Sequence, residues 1–264
     1  DYSNDTVWGT TKGPLNASKY NVEGAGNANY GYFAGGSTGV PSTDPSVVDR
    51  LDYSNDTATA SPKGNLSGKM SDDAATANGS YGYFAPGPSG QPNKRSIDRV
   101  DFSNDTATAS PRGNILSDCD SRMGISPLEN GLPSPTTKTV DKGADGYQTT
   151  SEGPAFGYMC GGRDPGAGSI PAEDQRQTTI DRIDYSNDTA TTSPKGALVV
   201  KRNNHAAVGN KDYLYNGGGG YGSPTTSKID RLDYASDTST AAEKGPLSSA
   251  RYYLAAVGNA SYGY

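Results

Sequence analysis

Nine residues, DRLDYSNDT at Asp49–Thr57, constrain this chain more than any other feature, because they recur along it. They return as DRVDFSNDT at Asp98–Thr106, DRIDYSNDT at Asp181–Thr189 and DRLDYASDT at Asp230–Thr238, and a headless DYSNDT opens the chain at Asp1. The Asp before each aromatic residue (Asp1, Asp52, Asp101, Asp184, Asp233) serves as the zero of a unit. A basic residue and a glycine follow at one fixed offset: Lys12-Gly13, Lys63-Gly64, Arg112-Gly113, Lys195-Gly196 and Lys244-Gly245. An aromatic run then closes each unit: YGYFAGG from Tyr30, YGYFAPG from Tyr81, FGYMCGG from Phe156, YLYNGGG from Tyr213 and YGY from Tyr262. Self-similarity of this kind means repeated units that bury their apolar faces only against their neighbours.

The units are 51, 49, 83 and 49 residues long before the last, unfinished one. The third owes its excess to stretches of loop composition, Leu132-Pro133-Ser134-Pro135-Thr136-Thr137 and Asp164-Pro165-Gly166-Ala167-Gly168, which have no helical apolar spacing. The expectation is one domain, 1–264, of five repeats with a long loop insertion at about 114–152. Each unit reads as four short strands. Tyr252–Val257 turns through Gly-Asn into Ser261–Tyr264, a hairpin signal. Ser96–Phe102 is the third strand, and Thr106–Ser110, beyond a Ser-Asn-Asp turn, is expected as the fourth.

Hydrophobic residues make up only 32% of the chain, a composition that can mark disorder. The regular Tyr- and Gly-bearing repeats argue instead for short strands and tight turns. The net charge of −6 comes without basic runs, which argues against nucleic acid as a partner. No apolar run reaches membrane-spanning length, so membrane insertion is not expected. Cys119 and Cys160 make no disulfide framework; two free thiols are expected, unless their Cα atoms come within about 7 Å. The chain opens at Asp1 and stops inside a repeat, as a processed or trimmed piece does.

These units resemble the kelch repeat. The resemblance rests on Ala250-Arg251, the apolar strand Leu254–Val257, the aromatic strand Tyr30–Phe33 with Gly35-Gly36, then Val48–Tyr53 and the turn Asn55-Asp56-Thr57. It implies an all-β, five-bladed kelch-like β-propeller with about four strands per blade and one blade shared by both termini. The Ser-Asn-Asp-Thr turn is also similar to the Asp-box of sialidase-type propellers. The repeats as a whole resemble those of predicted tail-fibre or structural proteins of aquatic phages, which implies an extracellular or virion-surface setting.

In the third strand, alternation puts Asp98, Val100 and Phe102 on one face and Ile97, Arg99 and Asp101 on the other. Charges on a strand covered on both faces are costly unless paired. Asp49-Arg50, Asp98-Arg99, Asp181-Arg182 and Asp230-Arg231 are therefore expected as a structural ladder tying blade to blade, rather than as a ring of carboxylates holding a ligand. Tyr32, Tyr83, Tyr158, Tyr215 and Tyr264 are expected inside, with bonded hydroxyls. Asp52, Ser54 and Asp56 alternate as calcium ligands can, but a capped turn explains them more simply. No metal and no cofactor is expected. His205 is the single histidine, which excludes a site of several imidazoles. A glycosidase needs only two carboxylates, so a carbohydrate-active propeller enzyme with a carboxylate pair near the third repeat is the rival reading. The leading one is a non-catalytic structural or ligand-binding module of an extracellular filament or virion appendage. Its expected partners are other structural proteins, further copies of itself, or surface glycans. Loops on a rigid scaffold carry recognition, which singles out Glu129, Asn130, Asp141, Lys142, Asp145 and Glu152. Finally, Asp1–Thr6 is expected to complete the blade that Tyr252–Tyr264 begins.

Overall fold

The computed structural model describes residues 9–39, 46–71, 74–87, 95–129, 132–133, 136–141, 147–152, 155–164, 175–220 and 224–264. They build four antiparallel sheets of four strands each and two short hairpins. β1 (Tyr20–Gly26), β2 (Tyr30–Ser37), β3 (Val47–Asp52) and β4 (Ser61–Asn65) form the first sheet. β5 (Ala74–Ala77), β6 (Tyr81–Ala85), β7 (Ser96–Asp101) and β8 (Ser110–Asn114) form the second. The third begins with β9 (Met123–Ile125) and breaks off for two hairpins, β10 (Leu128–Glu129) with β11 (Leu132–Pro133), then β12 (Thr136–Asp141) with β13 (Tyr147–Glu152). It resumes as β14 (Phe156–Cys160), β15 (Ile180–Asp184) and β16 (Ser193–Pro194). β17 (Ala206–Gly209), β18 (Tyr213–Gly217), β19 (Ile229–Asp233) and β20 (Ala242–Lys244) form the fourth. In each sheet the strands follow one another as an up-and-down meander.

Two polar side chains set the turns. Between the first and second strands an asparagine closes the hairpin: Asn78 Oδ1 accepts from the N–H groups of Ser80 at 2.9 Å and Tyr81 at 2.8 Å. Asn27, Asn210 and Asn259 do the same in their units. After the third strand, Asp52 Oδ1 accepts from Ser54 N at 2.8 Å and caps the 3-10 turn Tyr53–Asn55. Asp184 and Asp233 cap the same turn in their sheets. These are side-chain caps in which Asn and Asp substitute for a backbone acceptor.

The fourth strand starts later than its composition suggests. Thr106–Ala109 belongs to the turn and its exit, and pairing resumes at Ser110–Asn114. The displaced residues press on the preceding sheet, where Ala109 N donates to Asn65 O at 2.7 Å. Part of the stretch expected as loop, about 114–152, is also ordered sheet, because Met123–Ile125 pairs with Tyr158–Cys160 as β9.

Apolar side chains fill the spaces between successive sheets. Tyr32, Val48, Leu66, Phe84 and Val100 pack between the first and second. Tyr83, Ile97, Ile115, Met159 and Ile183 lie between the second and third, and Tyr158, Ile180, Leu198, Leu214 and Leu232 between the third and fourth. Strands β1, β5, β9 and β17 are neighbours across the sheets, as the inner strands of a propeller-like array are. Residues 252–264 add a hairpin in which Val257 and Tyr264 exchange N–H···O bonds of 3.0 and 2.8 Å. Val257 lines a cavity of about 320 Å³ together with Gly24, Ala75 and Gly124 of the first three sheets. Asp1–Thr6, expected to share that last blade, lies outside the described residues.

The repeated glycine after the basic residue is where sheets touch backbone to backbone. A Cβ on Gly64 would run into the carbonyl of Ala107, and one on Gly113 or Gly196 into Ala190 or Ser239. The obstacle is main chain on both sides and has nowhere to move. Gly64→Ala should therefore cost about 3 kcal/mol, the upper end for overpacking, measured as a shift in urea midpoint at unchanged slope.

Candidate functional site

The chemistry repeated in this chain is concentrated between the sheets. Asp105, in the turn after β7, is 8% exposed. It accepts from the hydroxyl of Tyr32 on β2 at 3.2 Å and from Arg50 Nη1 on β3 at 2.7 Å, with Lys63 of β4 at 3.7 Å. Asp188 takes the same donors from the second sheet, Tyr83 at 3.1 Å, Arg99 at 2.7 Å and Arg112 at 3.6 Å. Asp237 takes them from the third, Tyr158 at 3.0 Å, Arg182 at 2.6 Å and Lys195 at 3.4 Å. Each tyrosine ring also stacks on the aromatic residue three positions before that aspartate, with centroids 4.4 Å apart for Tyr32–Phe102, 4.8 Å for Tyr83–Tyr185 and 5.1 Å for Tyr158–Tyr234. Each arginine lies over an aromatic ring of its own sheet, Arg50 on Tyr30 at 4.3 Å and Arg182 on Phe156 at 4.0 Å. Burial first, and then the neighbouring carboxylate, push the Tyr32, Tyr83 and Tyr158 hydroxyls above the ordinary tyrosine range. They remain donors.

The first aspartate of the repeat works inside its own sheet. Asp98 accepts from Ser67 N at 2.5 Å and Ser67 Oγ at 2.7 Å, while burial raises its carboxyl above the usual range. Asp49 pairs with Lys19 at 3.0 Å, Asp181 with Arg122 at 2.6 Å and Asp230 with Arg202 at 2.9 Å. All eight of these residues precede or lie on the sheet they stabilise, so the carboxylate pins the connector that leads into the first strand. Two kinds of tie thus coexist: the first aspartate holds a sheet together, and the arginine beside it reaches the next sheet.

Sequence reasoning identified the Asp–Arg dipeptides and the tyrosines but treated the turn aspartates Asp105, Asp188 and Asp237 only as parts of a turn. Their signal was present. Where the serine of the turn becomes Ala235, the aspartate two residues later is kept as Asp237. Of the five expected tyrosines, Tyr32, Tyr83 and Tyr158 are buried, Tyr215 is half-buried and Tyr264 is 44% exposed. Asn130, Lys142 and Asp145 lie outside the described residues. Glu129, Asp141 and Glu152 fall on β10, β12 and β13, of which only the backbone is described.

His205 sits in a second polar cluster between the third and fourth sheets. Its Nε2 meets Asn216 Oδ1 at 3.1 Å, and Arg202 Nη1 donates to the carbonyls of Asn216, Gly218 and Lys228. Burial, and then the Arg202 charge, bring its pKa down to about 3. The imidazole is neutral and walled in. Cys119 and Cys160 are unbridged and buried, and burial raises the Cys160 thiol to about 12. Among the described residues no group of three or more His, Cys, Asp or Glu is placed to hold a metal ion. A larger cavity, about 480 Å³, opens between the fourth sheet and the terminal hairpin, lined by Tyr215, Ile229, Leu247, Arg251, Leu254 and Tyr262 among others.

No family model matches the chain, and no curated protein matches it. Among solved structures it is similar to that of YjhT, at 13% sequence identity and a TM-score of 0.62, over 89% of this chain and 68% of that one. At that identity the likeness is one of fold.

Three outcomes follow from the clusters. Asp188→Asn should cost about 3 kcal/mol in urea unfolding, because it leaves the Arg99 and Arg112 guanidinium groups without their buried counter-charge. Asp56→Asn should cost under about 1 kcal/mol, since the Asp56 carboxylate is 38% exposed and pairs with an exposed Lys12 at 3.1 Å. His205 is harder to protonate folded than unfolded, so its contribution is complete above pH 6.5 and is lost as pH falls toward 3. Stability should therefore drop by about 1.4 kcal/mol from pH 7.5 to 5.5, and His205→Gln should remove that slope.

Proposed function

We propose that this chain is a non-catalytic β-propeller scaffold of five kelch-like repeats that displays a binding surface on its third repeat. The fate of the repeated carboxylates carries this reading. Asp105, Asp188 and Asp237 each spend their oxygens on a tyrosine, an arginine and a second basic residue of the preceding sheet. A catalytic acid or base needs an oxygen facing substrate and need occur only once. A group repeated unchanged at successive interfaces serves the scaffold. The fifth repeat is represented by the hairpin at 252–264, closed by Asn259 as the others are closed by their asparagines.

Recognition is assigned to the insertion between β9 and β14, where the third repeat carries two hairpins in place of a tight asparagine turn. Its expected ligands are surface glycans or the proteins of an assembly, and its setting an extracellular filament or virion appendage. The test is a glycan array and a pull-down with the full chain and with a variant whose residues 128–152 are replaced by a short Gly-Ser linker. Binding that disappears in the variant, at unchanged thermal stability, supports the reading. Turnover of glycosides by the full chain would favour a carbohydrate-active propeller and defeat it.

A further inference from the structure

Four aspartates hold one position in the third strands, and three of them face a cation. Asp49 has Lys19, Asp181 has Arg122 and Asp230 has Arg202, at 3.0, 2.6 and 2.9 Å. Asp98 is as deeply buried, at 0% exposure. Yet among the described residues its donors come from Ser67, through N at 2.5 Å and Oγ at 2.7 Å. The register of the first strands gives the reason. Glu23, Ala74 and Ala206 stand opposite the residue four places after Tyr30, Tyr81 and Tyr213. Four places before them come Lys19, Met70 and Arg202. Where two sheets supply a cation, the second therefore supplies Met70, buried in its apolar cluster. The third sheet has Cys119 at that place and takes Arg122 from three residues further on, an offset at which the second unit carries Asp73. From the flanking strands Phe84 on β6 and Pro111 on β8 stand opposite Asp98. Burial acts on its carboxyl first and the Ser67 bonds second; no described charge does, Lys69 on the same connector included.

We propose that Asp98 is a proton-binding lock, which pins the connector into β5 both as a carboxylate and as a neutral acid, whereas its three counterparts pin theirs through a charge pair. As a carboxylate Asp98 accepts from Ser67 N and Ser67 Oγ. On taking a proton from water at Oδ1, it donates that proton to Ser67 Oγ, and the hydroxyl of this exposed serine turns its own hydrogen to solvent. Oδ2 still accepts from Ser67 N. The connector keeps both bonds, and a buried charge is removed. Because burial holds the carboxyl above its usual range, the folded chain binds this proton more tightly than the unfolded one, where Asp titrates near about 3.9. The stability that Asp98 contributes therefore rises as pH falls toward that value, opposite in sense to His205. The lock is independent of what the insertion binds, so its failure would leave the scaffold reading untouched.

The first test is a carboxyl-carbon NMR titration of Asp98 in the unaltered chain, from about pH 8 to about pH 3. A midpoint above the ordinary carboxylate range supports the lock, and one at or below about 3.9 overturns it. The second compares Asp98→Asn with Asp230→Asn in urea at neutral pH. Asparagine imitates the neutral acid, accepting from Ser67 N and donating to Ser67 Oγ, so the folding equilibrium should stay within about fivefold of the unaltered chain. Asp230→Asn leaves Arg202 without its counter-charge and should lower that equilibrium by more than about a hundredfold. A loss in Asp98→Asn that approaches the loss in Asp230→Asn overturns the proposal. The gap in stability between the unaltered chain and Asp98→Asn, in which His205 cancels, should widen in favour of the unaltered chain as pH falls; a gap that stays flat or narrows also overturns it. Should Asp230→Asn fail to fold, the NMR midpoint and the pH dependence of that gap decide.

Discussion

A carboxylate held between two sheets, fed by a tyrosine hydroxyl and a guanidinium from across the interface, is the interaction on which the other contacts depend. The aspartate is nearly buried, so its charge could not persist there without donors. The arginine is stacked on a ring, so its guanidinium arrives in one plane and loses little freedom on pairing. The tyrosine closes the set by stacking and donating at once. A phenylalanine could fill the same volume but would remove one of the two donors that share the aspartate Oδ2, leaving the arginine alone there.

This arrangement explains how a chain with only 32% hydrophobic residues holds several sheets together. The apolar clusters are thin, each a handful of side chains between two sheets, and polar ties carry specificity where large aliphatics are few. The cost is a strict demand on geometry. Removing any one donor or acceptor leaves the rest underpaired in a place largely shielded from water. Backbone contact at Gly64, Gly113 and Gly196 sets the spacing at which the polar partners meet.

Turn chemistry and repeat spacing made most of the architecture legible before any coordinates. The asparagine hairpins, the aspartate caps and the four strands per unit are local, and local signals sit next to one another in the sequence. What stayed hidden depends on pairs far apart along the chain. Tyr83 and Asp188 are separated by 105 positions, and nothing near either names the other. The same cause misplaced the fourth strand. Thr106–Ser110 has strand composition, but its first residues are taken up by contact with the preceding sheet, so pairing is delayed to Ser110. The insertion was visible as composition alone, and its inner boundary was not, because β9 is only three residues long and its partner lies beyond the hairpins.

The point at which the third repeat departs from the others is held unusually firmly. Ser126, the residue after β9, donates to Ala77 O at 2.6 Å and shares its hydroxyl with Thr76 and with Tyr185 at 2.8 Å. Tyr158, Met159 and Cys160 on the return strand are buried, with exposures of 1% or less. The insertion is therefore clamped at its root and returns into a packed strand. Ser126 holds one edge of the insertion and Tyr158–Cys160 the other, so the hairpins stand on a root that belongs to the packed sheets themselves.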